Sequence, residues 1–374
     1  MNQIGVLQVC DSLAAGGMER VAINLANALP RDRYRSYLCA TRTEGAMAEF
    51  VQPHVGQICL RRTGRFDAAA MRRLVSYVRQ NDIQILHAHG TSLFLSVVAG
   101  AFEPQPLVIW HDHFGRYATE ERPVWLYRLA MKRVDSVITV NQALADWARH
   151  RLRMPANRVG YIPNFVCEPS NGGKPPVLPG KKGLRIVCVA NFRPQKDHLN
   201  LLAAMNSVLR VVPDAHLILL GHGTETVCFK QVESEIARNG LKGHVSVLGP
   251  RQDVHAVLKG CDLGVLSSAS EGLPLALLEY GMAGLPSVAT QVGQCEEVLS
   301  GGRCGVLVPP RHPQRLAGAL LSLLRSAEKR REFGQKLNAR VQRVYSSQRV
   351  IQQVTEFYEA ALARHPRFLT GSAR

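Results

Sequence analysis

The segment Ser268-Ala269-Ser270-Glu271-Gly272-Leu273-Pro274-Leu275-Ala276-Leu277-Leu278-Glu279 sets two carboxylates eight residues apart, around a loop that opens a helix. On a helix, eight residues rise about 12 Å. That is wider than the roughly 5–5.5 Å between the carboxylates of a retaining glycosidase, or the roughly 6.5–9.5 Å of an inverting one. The pair is therefore expected to hold opposite ends of one elongated ligand. Between the two, the loop amides and the helix N-terminus favour an anion. Sugar hydroxyls, then a pyrophosphate, then ribose hydroxyls fit that order.

Three further segments carry chemistry. In Asn191-Phe192-Arg193-Pro194-Gln195-Lys196, Arg193 offers a fork of donors and Lys196 a point charge to phosphate oxygens; the alternative is a solvated surface pair. Gly16 and Gly17 follow the first apolar run, where paired glycines let backbone approach a phosphate or an acceptor, or simply make a tight turn. The pattern is not G-x-G-x-x-G, which removes the main support for a nicotinamide-dependent dehydrogenase. His87-Ala88-His89 and His111-Asp112-His113 end two apolar runs. Alternate residues of a strand share a face, so four imidazoles there could suggest a metal centre. No carboxylates stand at ligand-like spacing, and the expectation is an imidazole that donates to substrate oxygens while its neighbours satisfy local hydrogen bonds. No D-x-D occurs either, so a phosphate-bridging divalent ion lacks an obvious ligand pair and no metal is expected.

These segments follow short Val-, Ile- and Leu-rich runs that alternate with helical patterns. Strands are expected at Ile4–Cys10, Ser36–Ala40, Ile83–His87, Leu107–Trp110, Ser136–Val140 and Val159–Ile162, and again at Leu184–Ala190, His216–Leu220, Val245–Leu248, Leu263–Leu266 and Ser287–Ala289. Helices are expected at Met18–Leu29, Ala68–Arg79, Gln142–Arg151, Leu199–Val211, Leu275–Ala283 and Pro313–Leu324. Such alternation predicts α/β architecture with parallel sheets covered on both faces. The reading is two doubly wound, Rossmann-like domains facing across a cleft: residues 1–168, a Pro- and Gly-rich linker over 169–183, and residues 184–346. A helix within 347–374 is expected to pack back across the interface, with a frayed tail at Thr370–Arg374.

Composition bounds the partners. The 374 residues carry a net charge of +17, and both halves are basic. Such an excess attracts nucleic acid, anionic membrane or phosphorylated ligands. Aromatics are only 6%, and no nucleic-acid-binding motif is evident, so phosphate ligands and membrane surface are preferred. Six arginines and one acid lie between Arg61 and Arg79, on a helix-like run that would suit an anionic surface; the alternative is that its apolar positions pack on the sheet and its arginines are solvated. The first residues lack a basic stretch leading into a long apolar run, so no cleaved signal is expected. Nine scattered cysteines without a C-x-x-C pair read as reduced thiols of a cytoplasmic protein.

The block E-G-L-P-L-A-L-L-E, with Glu271-x7-Glu279, resembles the signature of the retaining glycosyltransferases of family 4, which have the GT-B fold. The resemblance runs from Gly16-Gly17-Met18-Glu19 through the two histidine segments to Gly305-Val306-Leu307-Val308-Pro309. It implies a retaining, metal-independent transfer of a sugar from a nucleotide diphosphate sugar to a sugar or lipid-linked acceptor, in polysaccharide or glycolipid assembly. It further implies that Glu271 and His111 approach the donor sugar, and that Gly272, Leu273 and Pro274 shape its pocket. Leu275 and Ala276 would offer amides to the distal phosphate, Lys196 would neutralise pyrophosphate, and Glu279 would bind the ribose. Gly16 and Gly17 match a loop that meets donor phosphate and acceptor. Three positions depart from the pattern: Asn191 stands where an arginine is common, with Arg193 as the candidate replacement; Tyr280 stands where a small residue is usual; Gln294 stands where a glycine is usual. The rival readings are another GT-B enzyme, either a nucleotide-sugar epimerase or a phosphorylase with a lysine-bound pyridoxal cofactor, and a basic nucleic-acid-binding protein.

Overall fold

Strands buried on both faces read as continuous apolar runs, and here they pair in parallel. The structure, a computed structural model of the chain, describes residues 3–14, 16–114, 121–167, 175–365 and 368. Two compact units divide it: Met1–Asn164 with Ser347–Arg374, and Phe165–Ser346.

The first unit holds β1 (Ile4–Ser12), β2 (Tyr34–Thr43), β3 (Gly56–Cys59), β4 (Ile83–His89), β5 (Leu107–Asp112), β6 (Ser136–Thr139) and β7 (Val159–Tyr161). They form a parallel sheet in the order β3-β2-β1-β4-β5-β6-β7. Its helices are α1 (Gly17–Ala28), α2 (Ala68–Gln80), α3 (Leu93–Ala99), α4 (Val124–Met131) and α5 (Gln142–Asp146). The helix expected over Gln142–Arg151 changes pitch after Asp146 to a π turn over Trp147–Arg151. That wider turn carries Trp147, whose ring lies 3.8 Å from the Arg122 guanidinium.

The second unit holds β8 (Arg185–Val189), β9 (His216–Leu220), β10 (Val245–Gly249), β11 (Leu263–Leu266), β12 (Ser287–Thr290) and β13 (Val306–Val308), in the order β10-β9-β8-β11-β12-β13. Helices α6 (His198–Leu209), α7 (Val227–Arg238), α8 (Val254–Lys259), α9 (Leu275–Met282), α10 (Cys295–Val298), α11 (Pro313–Leu324) and α12 (Ala327–Tyr345) accompany it. Helix α13 (Ser347–Ala363) belongs to the first unit.

Of the segment read as a linker, residues 169–174 lie outside the described residues, as do Glu168 before it and the tail Thr370–Arg374. From Pro175 onward the chain is grouped with the second unit. Leu178 is buried, and the Arg185 guanidinium donates to the carbonyls of Leu178, Pro179 and Gly180 at 2.9 to 3.1 Å.

Each sheet reverses its winding once, between β1 and β4 in the first and between β8 and β11 in the second. Ligands of open parallel sheets bind outside the carboxyl ends of the strands at such a reversal. The residues of interest follow those strands.

Candidate active site

In the second unit, the loop after β8 carries Lys196 and the loop after β11 carries Glu271, so the strand reversal brings the two together. Lys196 Nζ lies 2.6 Å from Glu271 Oε1, which also accepts from Ser268 Oγ at 2.6 Å. The two loops are stitched by backbone as well: Ser267 Oγ donates to the Lys196 carbonyl at 3.0 Å and Ala269 N to the Gln195 carbonyl at 2.8 Å. The Glu271 side chain is only 9% exposed and that of Lys196 22%, which makes this a partly desolvated ion pair and not a solvated one. Arg193 is exposed at the start of the short 3-10 turn Pro194–Lys196. Asn191 does not take a cation's place; its Oδ1 accepts from His222 N at 3.1 Å.

Glu271 lies four residues before the first residue of α9. The rise of about 12 Å expected for a continuous helix over Glu271–Glu279 therefore does not apply, because Gly272–Pro274 are loop. Pro274 is the N-cap of α9 and offers no side-chain cap, which leaves the first-turn amides of Leu275 and Ala276 without one. Leu273 and Pro274 are buried, and Glu279 is half-buried on α9.

Both departures next to this loop have structural roles. Gly293 has φ +53°, and a Cβ there would collide with the carbonyls of Glu271 and Gly272. Its neighbour Gln294 donates its backbone N–H to the Gly272 carbonyl at 2.9 Å. The turn thus braces the loop from behind. Tyr280 runs under the sheet, fully buried, against Gly264 of β11, where any Cβ would meet its ring. Its hydroxyl accepts from Val189 N at 2.8 Å and donates to the Val265 carbonyl at 3.1 Å, tying together the ends of β8 and β11. A large residue is tolerated at 280 because a glycine faces it.

In the first unit, parallel register places Gln8 of β1 across from His87 of β4, and His89 of β4 across from His111 of β5. Laterally paired residues point to one face, as do alternate residues of a strand. The four side chains therefore share a face, and Tyr358 of α13 covers it. All five are at most 2% exposed. His87 Nδ1 lies 2.6 Å from Tyr358 Oη and His87 Nε2 lies 3.2 Å from His111 Nδ1. His89 Nε2 lies 2.8 Å from Gln8 Oε1 and His89 Nδ1 lies 3.0 Å from His113 Nε2. Gln8 Nε2 donates to Tyr358 Oη at 3.2 Å. His111 Nε2 is buried and has no hydrogen-bond partner among the described residues.

Burial holds all four imidazoles neutral, pushing His87 and His113 down to about 3 and His89 and His111 well below the usual histidine range. One ring nitrogen from each of His87, His89 and His111 lies within 4.8 Å of the others, a spacing that could hold a metal ion. Both nitrogens of His87 and of His89, and Nδ1 of His111, already have hydrogen-bond partners. A metal ion would have to displace those contacts.

Next to His111, Asp112 forms a buried bidentate pair with Arg122 at 2.8 and 2.9 Å. Burial raises the Asp112 carboxyl and Arg122 opposes the rise. Gly16 is the extended N-cap of α1, and the Glu19 carboxylate lies close beside it at the helix N-terminus. Ala15 is outside the described residues. Asp11, at the end of β1, accepts from Thr41, Arg62 and Thr91.

The structure thus joins Lys196 to Glu271, puts Gly272, Leu273, Pro274, Leu275 and Ala276 in the loop and first turn of α9, and places His111 at the end of a buried chain. Sequence reading missed Ser268 as a partner of Glu271, and also Gln8, Arg122 and Tyr358. Only Gln8 left a signal: a lone polar residue inside the apolar run Ile4–Cys10.

Residues 183–326 match the family model described as glycosyl transferases group 1, and residues 15–167 match that of glycosyltransferase family 4. Among curated relatives, an N-acetyl-alpha-D-glucosaminyl L-malate synthase of Bacillus anthracis is 26% identical over 62% of this chain, a match that spans 61% of that protein. A phosphatidyl-myo-inositol mannosyltransferase of Mycolicibacterium smegmatis is 26% identical over 96% of this chain and 89% of its own. The crystal structure of Anabaena HepE in complex with UDP and glucose has TM-score 0.79 at 19% identity, covering 96% of this chain and 100% of that one. That likeness shows the fold, the GT-B pair of parallel sheets. With both units matched by glycosyltransferase models, the chain belongs to the group 1 glycosyltransferases of the family 4 type.

Proposed function

We propose that the protein transfers a sugar from a nucleotide diphosphate sugar to an acceptor hydroxyl, with retention at the anomeric carbon and without a divalent metal, in polysaccharide or glycolipid assembly. The observation that carries this reading is the Lys196–Glu271–Ser268 cluster at the strand reversal, next to the open N-terminus of α9. The leaving group is a nucleotide diphosphate, and stabilising its developing charge is the main electrostatic task. Lys196, exposed Arg193 and the amides of Leu275 and Ala276 supply positive potential for it. Glu271 holds the sugar within the pocket shaped by Gly272, Leu273 and Pro274, and Glu279 accepts from the ribose hydroxyls. His111 reaches the donor sugar, and Gly16 and Gly17 lie beside the phosphate and the acceptor. The printed names of the relatives support the substrate class: one structure holds UDP and glucose, and one relative is a phosphatidyl-myo-inositol mannosyltransferase.

Nucleotide release from UDP-, GDP- and ADP-sugars, measured with a lipid-linked acceptor extract and with and without a chelator, tests the reading. Glu279→Ala is expected to weaken nucleotide binding by about 1.5–3 kcal/mol, the worth of a charge-assisted hydrogen bond. Unchanged affinity in calorimetry defeats the ribose role. Activity lost to the chelator and restored by one ion defeats the metal-free reading.

The same reading has the enzyme working in the cytoplasm, peripherally on an anionic membrane surface. No helix among the described residues is long and apolar enough to cross a membrane. Leu74 and Val78 of α2 are in the core and Met71 and Val75 pack against it, so the apolar face of α2 is already covered. What remains for a surface is charge: Arg61, Arg65, Arg72, Arg73 and Arg79 are exposed, next to the fully exposed Phe66. Each basic residue near an anionic surface contributes about 1 kcal/mol, and the attraction fades with salt. Sedimentation is expected to show binding to anionic vesicles at low salt and none to neutral ones. Equal, negligible binding to both rejects membrane association.

A further inference from the structure

We propose that Tyr358, on the C-terminal helix α13, is a positioning residue that fixes the ring tautomer of His111 through His87, so that His111 presents Nε2–H as a hydrogen-bond donor. The catalytic use of that donor rests on the reading that His111 meets the donor sugar.

The argument is a count of protons along one chain of contacts. Gln8 Nε2 donates to Tyr358 Oη at 3.2 Å. The hydroxyl proton of Tyr358 is then free to go to His87 Nδ1, 2.6 Å away. A neutral imidazole carries one N–H. With Nδ1 accepting, His87 carries its proton on Nε2 and donates to His111 Nδ1 at 3.2 Å. His111 in turn must carry its proton on Nε2, a buried ring atom without a partner among the described residues.

The other half of the chain runs the same way. Gln8 Oε1 accepts from His89 Nε2 at 2.8 Å, which leaves His89 Nδ1 to accept from His113 Nε2 at 3.0 Å. Every bond therefore points from His113 toward His111. Chains of this kind polarise one another, and the terminal donor is strengthened.

The direction has chemical meaning. A sugar oxygen that is to accept from His111 Nε2 needs the proton on that nitrogen. In a neutral imidazole this leaves Nδ1 as the acceptor, which the bond from His87 Nε2–H enforces. Reversing the Gln8 amide would reverse the whole chain and leave a lone pair at His111 Nε2, so the two directions are experimentally distinct. Tyr358 is the residue that carries the direction from the Gln8 amide to the imidazoles, because its hydroxyl accepts from Gln8 and donates to His87. It comes from the last helix of the chain, more than 240 residues beyond His111. The C-terminal helix thus takes part in preparing the histidine, beyond covering the sheet.

The test is nitrogen NMR of the full-length wild-type protein labelled with [15N]histidine, with the His111 signals identified by their loss in His111→Gln. The expected result is a proton on Nε2 of His111 and a lone pair on Nδ1. In Tyr358→Phe, which keeps the ring and removes the hydroxyl, the His111 signals are expected to move toward the other tautomer. Turnover is expected to fall at least tenfold while affinity for UDP or GDP is kept. Nδ1–H at His111 in the wild type overturns the proposal whatever the variants do, and so does an unshifted Nε2–H in Tyr358→Phe. Full turnover in His111→Ala would instead defeat the sugar-contact reading and the catalytic use of the relay, while the tautomer assignment stands or falls on the spectrum.

Discussion

Lys196→Ala is expected to lose at least a factor of ten in turnover, about 1.4 kcal/mol of transition-state stabilisation. Two effects act in the same direction. The first, on the proposed phosphate role, is loss of a positive charge where a diphosphate would leave. The second comes from the unliganded protein, in which Lys196 Nζ sits 2.6 Å from a Glu271 carboxylate that is only 9% exposed. Removing one member of a buried pair leaves the other uncompensated, at about 3–5 kcal/mol. The remaining hydroxyl of Ser268 and the 22% exposure of Lys196 place this pair at or below the low end of that range. Lys196→Ala should therefore also lower the melting temperature, whereas Arg193→Ala, at an exposed position, should not. On that same proposed role, an incoming phosphate would compete with Glu271 for the ammonium group, and donor binding would have to redirect the lysine or share it. Steady-state turnover and a thermal melt on the same preparation separate the two effects. Near-normal turnover in Lys196→Ala defeats the phosphate role, whatever the melt shows.

The strands and the placement of Lys196 and Glu271 were legible because they are written locally. Short apolar runs of Val, Ile and Leu that alternate with helical patterns read as strands covered on both faces, and residues just after them lie at their carboxyl ends. The short edge strands β3 and β13 were missed: Gly56–Cys59 and Val306–Val308 are too short to show a period. The helix estimate for Glu271–Glu279 failed for a related reason, because Pro274 starts α9 and the preceding residues are loop. Tyr280 stood out only as a departure from the pattern because the residue that makes room for it, Gly264, lies on another strand. The histidine chain shows the same limit more sharply. H-x-H places two rings on one face of one strand, but that Gln8, His89 and His111 meet follows from register between three strands, and Tyr358 from a helix at the far end of the chain. Long-range pairing leaves no periodic trace in any one segment.

Acidification from pH 7.5 to 5.5 is expected to strip about 4 kcal/mol from the first unit, through the same histidines. His87 is pushed down to about 3, and His89 and His111 fall well below the usual range, in each case chiefly because the ring is buried. An unfolded histidine titrates near 6.5. The folded value is thus the depressed one, and the unfolded chain binds more protons at every pH between the two. Stability is full above about pH 6.5 and is lost as pH falls toward about 3. Each of these three buried rings costs about 1.4 kcal/mol as the pH falls from 7.5 to 5.5, about 4 kcal/mol together, and the half-buried His113, pushed down to about 3, acts in the same direction. Asp112, raised by burial, acts with the contrary sign, a single group against these rings. A loss of this size is a large part of the roughly 5–15 kcal/mol that holds an ordinary domain. The measurement is favoured by where the fluorophores lie: the chain's three tryptophans, Trp110, Trp125 and Trp147, all belong to the first unit. Urea unfolding followed by tryptophan emission should show a much lower midpoint at pH 5.5 than at 7.5, with an unchanged slope. In the second unit, burial pushes His198 down to about 4 and lowers the partly shielded His216, a smaller set than in the first unit, so a probe placed there should move less. A tryptophan midpoint that stays put across this range would mean that the rings take up protons in the folded protein as readily as in the unfolded chain, and the uncharged relay that ends at His111 would not survive at pH 5.5.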